Sequence, residues 1–134
     1  MENITDLSTL SKKALGALAE DITAEYIKNM GGEILHRNYT TPYGEVDIIA
    51  KMGDGVIALI EVKCRRTASR GTPQEAVSKA KQRRYAYCAA AYLSTLPEGA
   101  GLRFDVSAVT VKNNTFQINY TPNAFDMGQA DFFY

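Results

Sequence analysis

The chain has 134 residues, 46% of them hydrophobic and 22% charged, with fifteen basic and fifteen acidic side chains that sum to a formal net charge of zero. That is the size and composition of one globular domain, and it excludes a disordered, collagen-like or disulfide-framework protein. Two cysteines, Cys64 and Cys88, stand in no metal-ligand spacing, so a reducing cytoplasm is the expected setting.

The opening residues lack the basic-then-apolar pattern of a secretory leader, and no apolar run approaches a membrane span, so no membrane partner is expected. Ser11 to about Met30 reads as an amphipathic helix. Leu15, Leu18, Ala19, Ile22, Tyr26 and Met30 recur at helical spacing, and Gly31-Gly32 stops the helix. Glu33 to Thr40 reads as a first strand. It leads into a Thr41 to Gly44 turn, in which Pro42 fixes φ and Gly44 is free to take a positive φ. Val46 to Lys51 makes a second strand and Met52 to Gly55 a hairpin turn. Val56 to Cys64 makes a third strand, apolar enough to be covered on both faces.

Arg65 to Gly71 is a polar, basic loop. After it, Thr72 as cap, Pro73 at the first helical position and Glu75 closing a capping box predict a helix from Thr72 to about Leu96. Its buried stripe is expected to be Val77, Ala80, Cys88, Ala89, Tyr92 and Leu93. Leu102 to Val111 predicts a fourth strand, and Asn113-Asn114 turns it into a short fifth strand from Phe116 to Tyr120. Residues 121–134 form an aromatic tail with no assigned element. The expectation is one domain over residues 1–134, with its core at about 11–120. It is an α/β domain with a mixed central sheet flanked by helices, in the order α-β-β-β-α-β-β.

The zero net charge hides an asymmetry. Lys63, Arg65, Arg66, Arg70, Lys79, Lys81, Arg83 and Arg84 fall within one stretch whose only acid is Glu75. Such a patch suits a polyanion, with phosphate contacts that give affinity without sequence preference; the alternative is a solvated helix face.

The third strand holds the main anomaly. Glu61 and Lys63 stand two apart at the end of an apolar run, on one face, with Val62 pointing the other way. Asp47 on the preceding hairpin strand can converge on Glu61. Buried charges need a partner or a metal. Two carboxylates, the Val62 backbone carbonyl and waters would suit Mg²⁺ or Mn²⁺, with Lys63 placed to orient a water or to stabilise a phosphoryl oxygen. The alternative is a cross-strand salt bridge at a half-exposed edge.

Glu45 is expected on the opposite sheet face from Asp47, in a structural or supporting role. Asp105, beside Arg103, is expected to be structural. His36 reads as a half-buried strand residue. Tyr85, Tyr87 and Tyr92 read as packing residues, with Tyr85 the one open to stacking on an unpaired base.

Asp47 followed by Glu61-Val62-Lys63 resembles the catalytic signature of the PD-(D/E)XK nuclease superfamily. More narrowly, the chain resembles the YraN-like proteins, bacterial predicted endonucleases similar to archaeal Holliday-junction resolvases. The likeness runs from about Gly16 to Phe125. It takes in Gly16 to Glu20, Gly44 to Ala50, Glu61 to Arg65, Gly71 to Val77, Lys81 to Arg84, Arg103 to Val106 and Asn123 to Phe125. Ala19 stands where the family usually has glycine, and Val46 replaces the proline that names the superfamily; neither removes a metal ligand. The resemblance implies a restriction-endonuclease-like core in which Asp47 and Glu61 bind metal and Lys63 is catalytic. It also implies that Glu20 faces the same site as a further acidic residue.

The expected function is a Mg²⁺- or Mn²⁺-dependent endonuclease acting on DNA rather than RNA, with branched or junction DNA as the substrate suggested by the likeness. A homodimer is expected by analogy only. The rival is a nucleic-acid-binding module that keeps the fold with weak catalysis or none. A third alternative is a structural α/β domain whose charges simply pair.

Overall fold

The computed structural model describes residues 6–66 and 77–125. A single 3₁₀ turn, Leu7–Thr9, precedes helix α1, Lys12–Asn29. Strands β1 (Glu33–Thr41), β2 (Gly44–Lys51) and β3 (Ile57–Arg65) follow, then helix α2 (Lys79–Leu93) and strands β4 (Leu102–Lys112) and β5 (Thr115–Phe125).

Both ends of α1 are written in local sequence. The Ser11 hydroxyl accepts from the Ala14 N–H at the start, which satisfies one of the free donors of the first turn. At the other end Gly31 takes φ +88°, Gly31 N donates to Lys28 O and Gly32 N to Ile27 O. Those paired bonds are a Schellman closure. Gly32 is also required for space, since a Cβ there would lie 2.6 Å from Ile27 Cγ2.

The buried face of α1 differs from the expected one. Leu15, Ala19, Thr23, Ala24 and Ile27 are buried, whereas Leu18, Ile22 and Tyr26 are half-buried and Met30 is 47% exposed. The physical reason lies across the interface, where Thr23 Oγ1 hydrogen-bonds Ser107 Oγ on β4 at 2.8 Å and donates to Ala19 O. The small side chains of this face let the helix settle close on the sheet.

The five strands lie in sequence order, β1-β2-β3-β4-β5. Neighbours are antiparallel except β3 and β4, which run parallel with α2 as their crossover. The expected mixed sheet flanked by helices is therefore present. Ile57, Ala58, Leu59 and Ile60 are all buried, as a strand covered on both faces requires. On one face Ile48, Ala50, Ala58 and Ile60 pack with Ala24 and Ile27 of α1. On the other, Val46, Ile49, Leu59, Phe104 and Val106 pack with Tyr85, Cys88, Ala89 and Tyr92 of α2.

Helix α2 departs from expectation at its start. Ser78 is extended, with φ −60° and ψ 156°, and its hydroxyl accepts from the Lys81 N–H. The helix therefore begins at Lys79 and does not run unbroken from Thr72. The Thr72-Pro73-Gln74-Glu75 capping box lies outside the described residues. Ala80, expected inside, is exposed, and Leu93 is only half-buried. Tyr85 and Ala86 complete the buried face instead.

Strand β5 is longer than Phe116 to Tyr120 and continues through Thr121, Pro122 and Asn123 to Phe125. Proline is tolerated there because β5 is an edge strand. The expected tail thus begins no earlier than residue 126, outside the described residues. Asn113 and Asn114 both take positive φ, the requirement of a tight hairpin turn between twisted strands. Among the described residues no helix is long and apolar enough to cross a membrane.

Candidate functional site

Strands β2 and β3 are paired only as far as Ile48 and Ile60. Beyond that point they separate, and a side chain takes over the role of the missing ladder. Asp47 Oδ2 accepts the Val62 N–H at 2.8 Å. This anchors a carboxylate between the two strands, next to Glu61.

Glu61 is only 2% exposed. Its Oε1 meets Lys81 Nζ at 2.6 Å and Lys63 Nζ at 3.5 Å, and its Oε2 accepts from the Tyr85 hydroxyl. Lys81 and Tyr85 are four residues apart, so they share one face of α2 and reach the same carboxylate. Burial, then Glu61 and Asp47, push the Tyr85 hydroxyl well up from its ordinary range, so it stays a donor.

Asp47 is less well provided for. Burial first, and then the Glu61 charge, push its carboxyl up from 3.8 to about 7, against the opposing pull of the Val62 N–H and Lys81. Among the described residues Asp47 forms no ion pair, although the Lys81 charge favours its ionised form. A recess of about 320 Å³ opens here, lined by Gly44, Glu45, Asp47, Lys81, Arg84 and Tyr85 among others. Glu45, expected on the opposite face in a structural role, borders this same recess. Residues two apart on a strand tend to share a side.

Glu20 approaches from α1. Its carboxyl is raised by burial, then lowered by Arg37, and raised again by Glu45, Asp21 and Glu61. Arg37 lies 3.9 Å from Glu20 but only 2.8 Å from Asp21. Assigned from its surroundings so that the amide nitrogen faces the two carboxylates, Asn38 donates to Glu45 at 3.0 Å and to Glu20 at 3.2 Å. Asn38 therefore ties α1 to the β1–β2 hairpin at the rim of the site, in a left-handed conformation at φ 52°.

The fold thus brings Asp47, Glu61 and Lys63 together, with Glu20 held nearby by Arg37 and Asn38. Among the described residues no group of three or more histidine, cysteine, aspartate or glutamate side chains is close enough to hold a metal ion. Asp47 and Glu61 form a pair of hard oxygen donors, and the uncompensated Asp47 carboxyl is what a divalent cation would relieve. In donor chemistry the pair fits Mg²⁺ or Mn²⁺.

The basic residues divide into several environments. Lys81 is spent on Glu61, Arg84 lines the recess, and Lys79 and Arg83 are exposed. Arg66 donates to the carbonyls of Leu7 and Leu10, so it pins the end of β3 to the N-terminal turn. With Lys12, Lys63 and Arg65 it lines a separate cavity of about 450 Å³ over Leu15 and Cys64. Arg70 lies outside the described residues. His36 is exposed, its ring packed on Tyr39 and edge-on to Tyr92.

Asp105 is structural in its contacts. It is fully buried and accepts from Arg103 Nε, the Tyr120 hydroxyl and Asn123 N, bridging the register shift between β4 and β5. Sequence reasoning missed Tyr85 and Asn38 as parts of the site. The four-residue spacing of Lys81 and Tyr85 was a signal for the first. Nothing in the local sequence marks the second.

Fold and site together define a mixed α/β domain whose central strands part around a carboxylate pair and a lysine. The profile of Uncharacterised protein family UPF0102 matches residues 19–109. A UPF0102 protein of Dictyoglomus thermophilum is 40% identical over 87% of this chain and 100% of its own length. One from Desulforapulum autotrophicum is 43% identical over 85% and 94%, and one from Rhodococcus opacus 42% over 84% and 96%. The chain belongs to the UPF0102 family, the YraN-like proteins. Among solved structures, Pyrococcus furiosus SfsA in complex with Ca²⁺ is matched with a TM-score of 0.34 and 11% identity. That match covers 85% of this chain, which spans less than two thirds (63%) of that one.

Proposed function

We propose that the protein is a Mg²⁺- or Mn²⁺-dependent endonuclease of the PD-(D/E)XK kind that hydrolyses phosphodiester bonds in DNA, branched or junction DNA among them. The observation that carries this reading is the parting of β2 and β3. It sets Asp47 on Val62 N–H beside Glu61, with Lys63 3.5 Å from the Glu61 carboxylate. Asp47, Glu61 and the Val62 carbonyl would hold the ion, with Glu20 as a further acid nearby. When bound, the ion neutralises phosphoryl charge and makes water a stronger nucleophile. Lys63 orients the attacking water or meets the charge on a phosphoryl oxygen. Tyr85 fixes the direction of Glu61, and Lys81 neutralises Glu61 in the metal-free protein. Exposed Lys79 and Arg83, with Arg84 at the rim, hold the phosphate backbone. A homodimer in the cytoplasm, presenting two such sites to two strands, completes the proposal.

The test is cleavage of labelled four-way junction, flap, single-stranded and duplex DNA, and RNA, with Mg²⁺, Mn²⁺ or EDTA. Asp47→Ala and Lys63→Ala should each lower metal-dependent cleavage by at least about a hundredfold. Independently of turnover, millimolar Mg²⁺ should raise the melting temperature of the wild type and leave that of Asp47→Asn unmoved. Variants that cut as well as the wild type would remove the catalytic assignment.

One observation favours the rival reading of a binding module. Lys81 and Tyr85 already occupy both oxygens of Glu61, which leaves a self-satisfied carboxylate. Salt-sensitive binding to the same substrates without cleavage in any metal would decide for it.

A further inference from the structure

Tyr85 was the tyrosine the sequence left open to a base, yet it is 1% exposed and bonded to Glu61. The outward-facing ring is two residues on. Tyr87 is 37% exposed and stacks on Tyr43, itself 49% exposed, with centroids 5.2 Å apart and planes inclined by 24°. Among the described residues the exposed large hydrophobic side chains are Met30 and these two tyrosines. Two of the three therefore stand together.

Their position gives the pair its meaning. Tyr43 precedes Gly44, which lines the recess beside Asp47. Tyr87 lies three residues beyond Arg84 on α2, on a neighbouring part of the helix surface. Arg84 also lines the recess, and its side chain crosses Gly44, with Cδ 4.0 Å from where a Cβ would stand. The aromatic pair thus adjoins Gly44 and Arg84, two residues that line the recess together with Asp47, which stands beside buried Glu61. Stacked aromatic faces beside cations are how proteins seat unpaired bases without reading their sequence. A continuous duplex keeps its bases stacked inside and offers such a pair nothing to hold.

We propose that Tyr43 and Tyr87 form a stacking platform for an unpaired nucleobase, with Arg84 on the adjoining phosphate. The substrate is then a nucleic acid with a single-stranded segment next to the bond addressed by Asp47 and Glu61. This rests on the nucleic-acid reading of the same recess and deepens it by naming the substrate class.

The experiment measures binding in EDTA, so that cleavage plays no part. The chain contains eight tyrosines and no tryptophan, and Tyr43→Trp therefore introduces a single tryptophan at the platform that can be excited apart from the tyrosines. Its emission should be quenched by a single-stranded oligonucleotide and unaffected by a blunt duplex of the same sequence. Tyr43→Ala/Tyr87→Ala should bind the single strand roughly five- to a hundredfold more weakly, with duplex affinity within about twofold of wild type. Tyr43→Phe, which keeps the ring, should bind like the wild type. Absence of quenching, or equal losses for single strand and duplex, overturns the platform. If the double variant retains full salt-sensitive binding to the single strand, the platform alone falls and the nuclease reading stands. If the wild type binds no nucleic acid at all, both fall.

Discussion

Asp105 and Asp47 are both carboxylates drawn into the sheet, and they are treated in opposite ways. Asp105 is fully buried at the β4–β5 register shift, with a guanidinium, a phenol and a backbone N–H on its two oxygens. Burial and the Asp105 charge raise the Tyr120 hydroxyl, which keeps it a donor. Among the described residues Asp47 accepts one backbone N–H, and burial and then the Glu61 charge weigh against its ionised form. A network with every member satisfied holds a structure together. A carboxylate left beside a like charge is an unresolved cost, and such costs gather where chemistry is done. The same residue type thus serves as a fastening in one strand pair and as a candidate reagent in the other.

The sharpest way to break the comparison is to remove each carboxylate in turn. Asp105→Ala leaves Arg103 and the Asn123 N–H without their acceptor and should lower stability by about 3–5 kcal/mol, read from urea or thermal denaturation. A loss below about 1 kcal/mol would show that the network is not what holds β5 in place. Asp47→Asn should do the reverse in the metal-free protein. The folded state raises this carboxyl from 3.8 to about 7 and so holds the proton more tightly than the unfolded chain. Its contribution to stability is fully present below about pH 4, is lost as pH rises towards 7, and stays lost above that. The asparagine variant should therefore gain about 2–3 kcal/mol on the wild type at pH 8 and almost nothing at pH 4. Parallel stability curves for the two proteins across that window would mean that the Asp47 charge is compensated.

A smaller effect separates Glu61 from both. Tyr85→Phe removes one donor from a buried carboxylate while keeping the ring in its packing, and should cost about 1–2 kcal/mol. The variant should also shift the Mg²⁺ concentration needed for thermal protection, because Glu61 loses the group that aims it. Smallest of all, Ser78→Ala should cost about 1 kcal/mol if this serine, and not Thr72, caps α2. Chemical denaturation resolves that difference, and an unchanged midpoint would return the helix start to the upstream capping box.

Local signals were legible and non-local ones were not. The apolar run through Ile60 ending in Glu61-Val62-Lys63 announced a central strand with charges at its tip. Ser11 and Gly31-Gly32 announced both ends of α1. Which stripe of α1 would be buried depended on a hydroxyl pair between Thr23 and Ser107, side chains that hydrophobic periodicity does not count. The start of α2 followed Ser78 because a cap motif competes with every other cap nearby, and the tertiary position of the helix decides between them. Strand β5 was read short because the segment from Thr121 offered no strand periodicity, and an edge strand absorbs both Pro122 and the left-handed Asn123. The convergence of Asp47 and Glu61 was legible from the hairpin. The partners of Glu61 were not, since Lys81 and Tyr85 lie on a helix whose rotation no local rule supplies.

The sheet is ordered as its strands occur in the chain, and this bears on how the molecule assembles. The β1-β2-β3 meander and the β4-β5 hairpin each close through short turns, so their pairing needs little loop entropy. The β3–β4 seam is the one that must wait for a long crossover, and long-range parallel pairing is slow. Asp47 and Glu61 belong to the early piece, while Lys81 and Tyr85 arrive with the crossover helix. On chain separation alone, the two carboxylates are expected to meet each other during refolding before they meet Lys81 and Tyr85. If the pair holds a divalent cation as proposed, the ion would meet Lys63, which shares a strand with Glu61, before it meets Lys81.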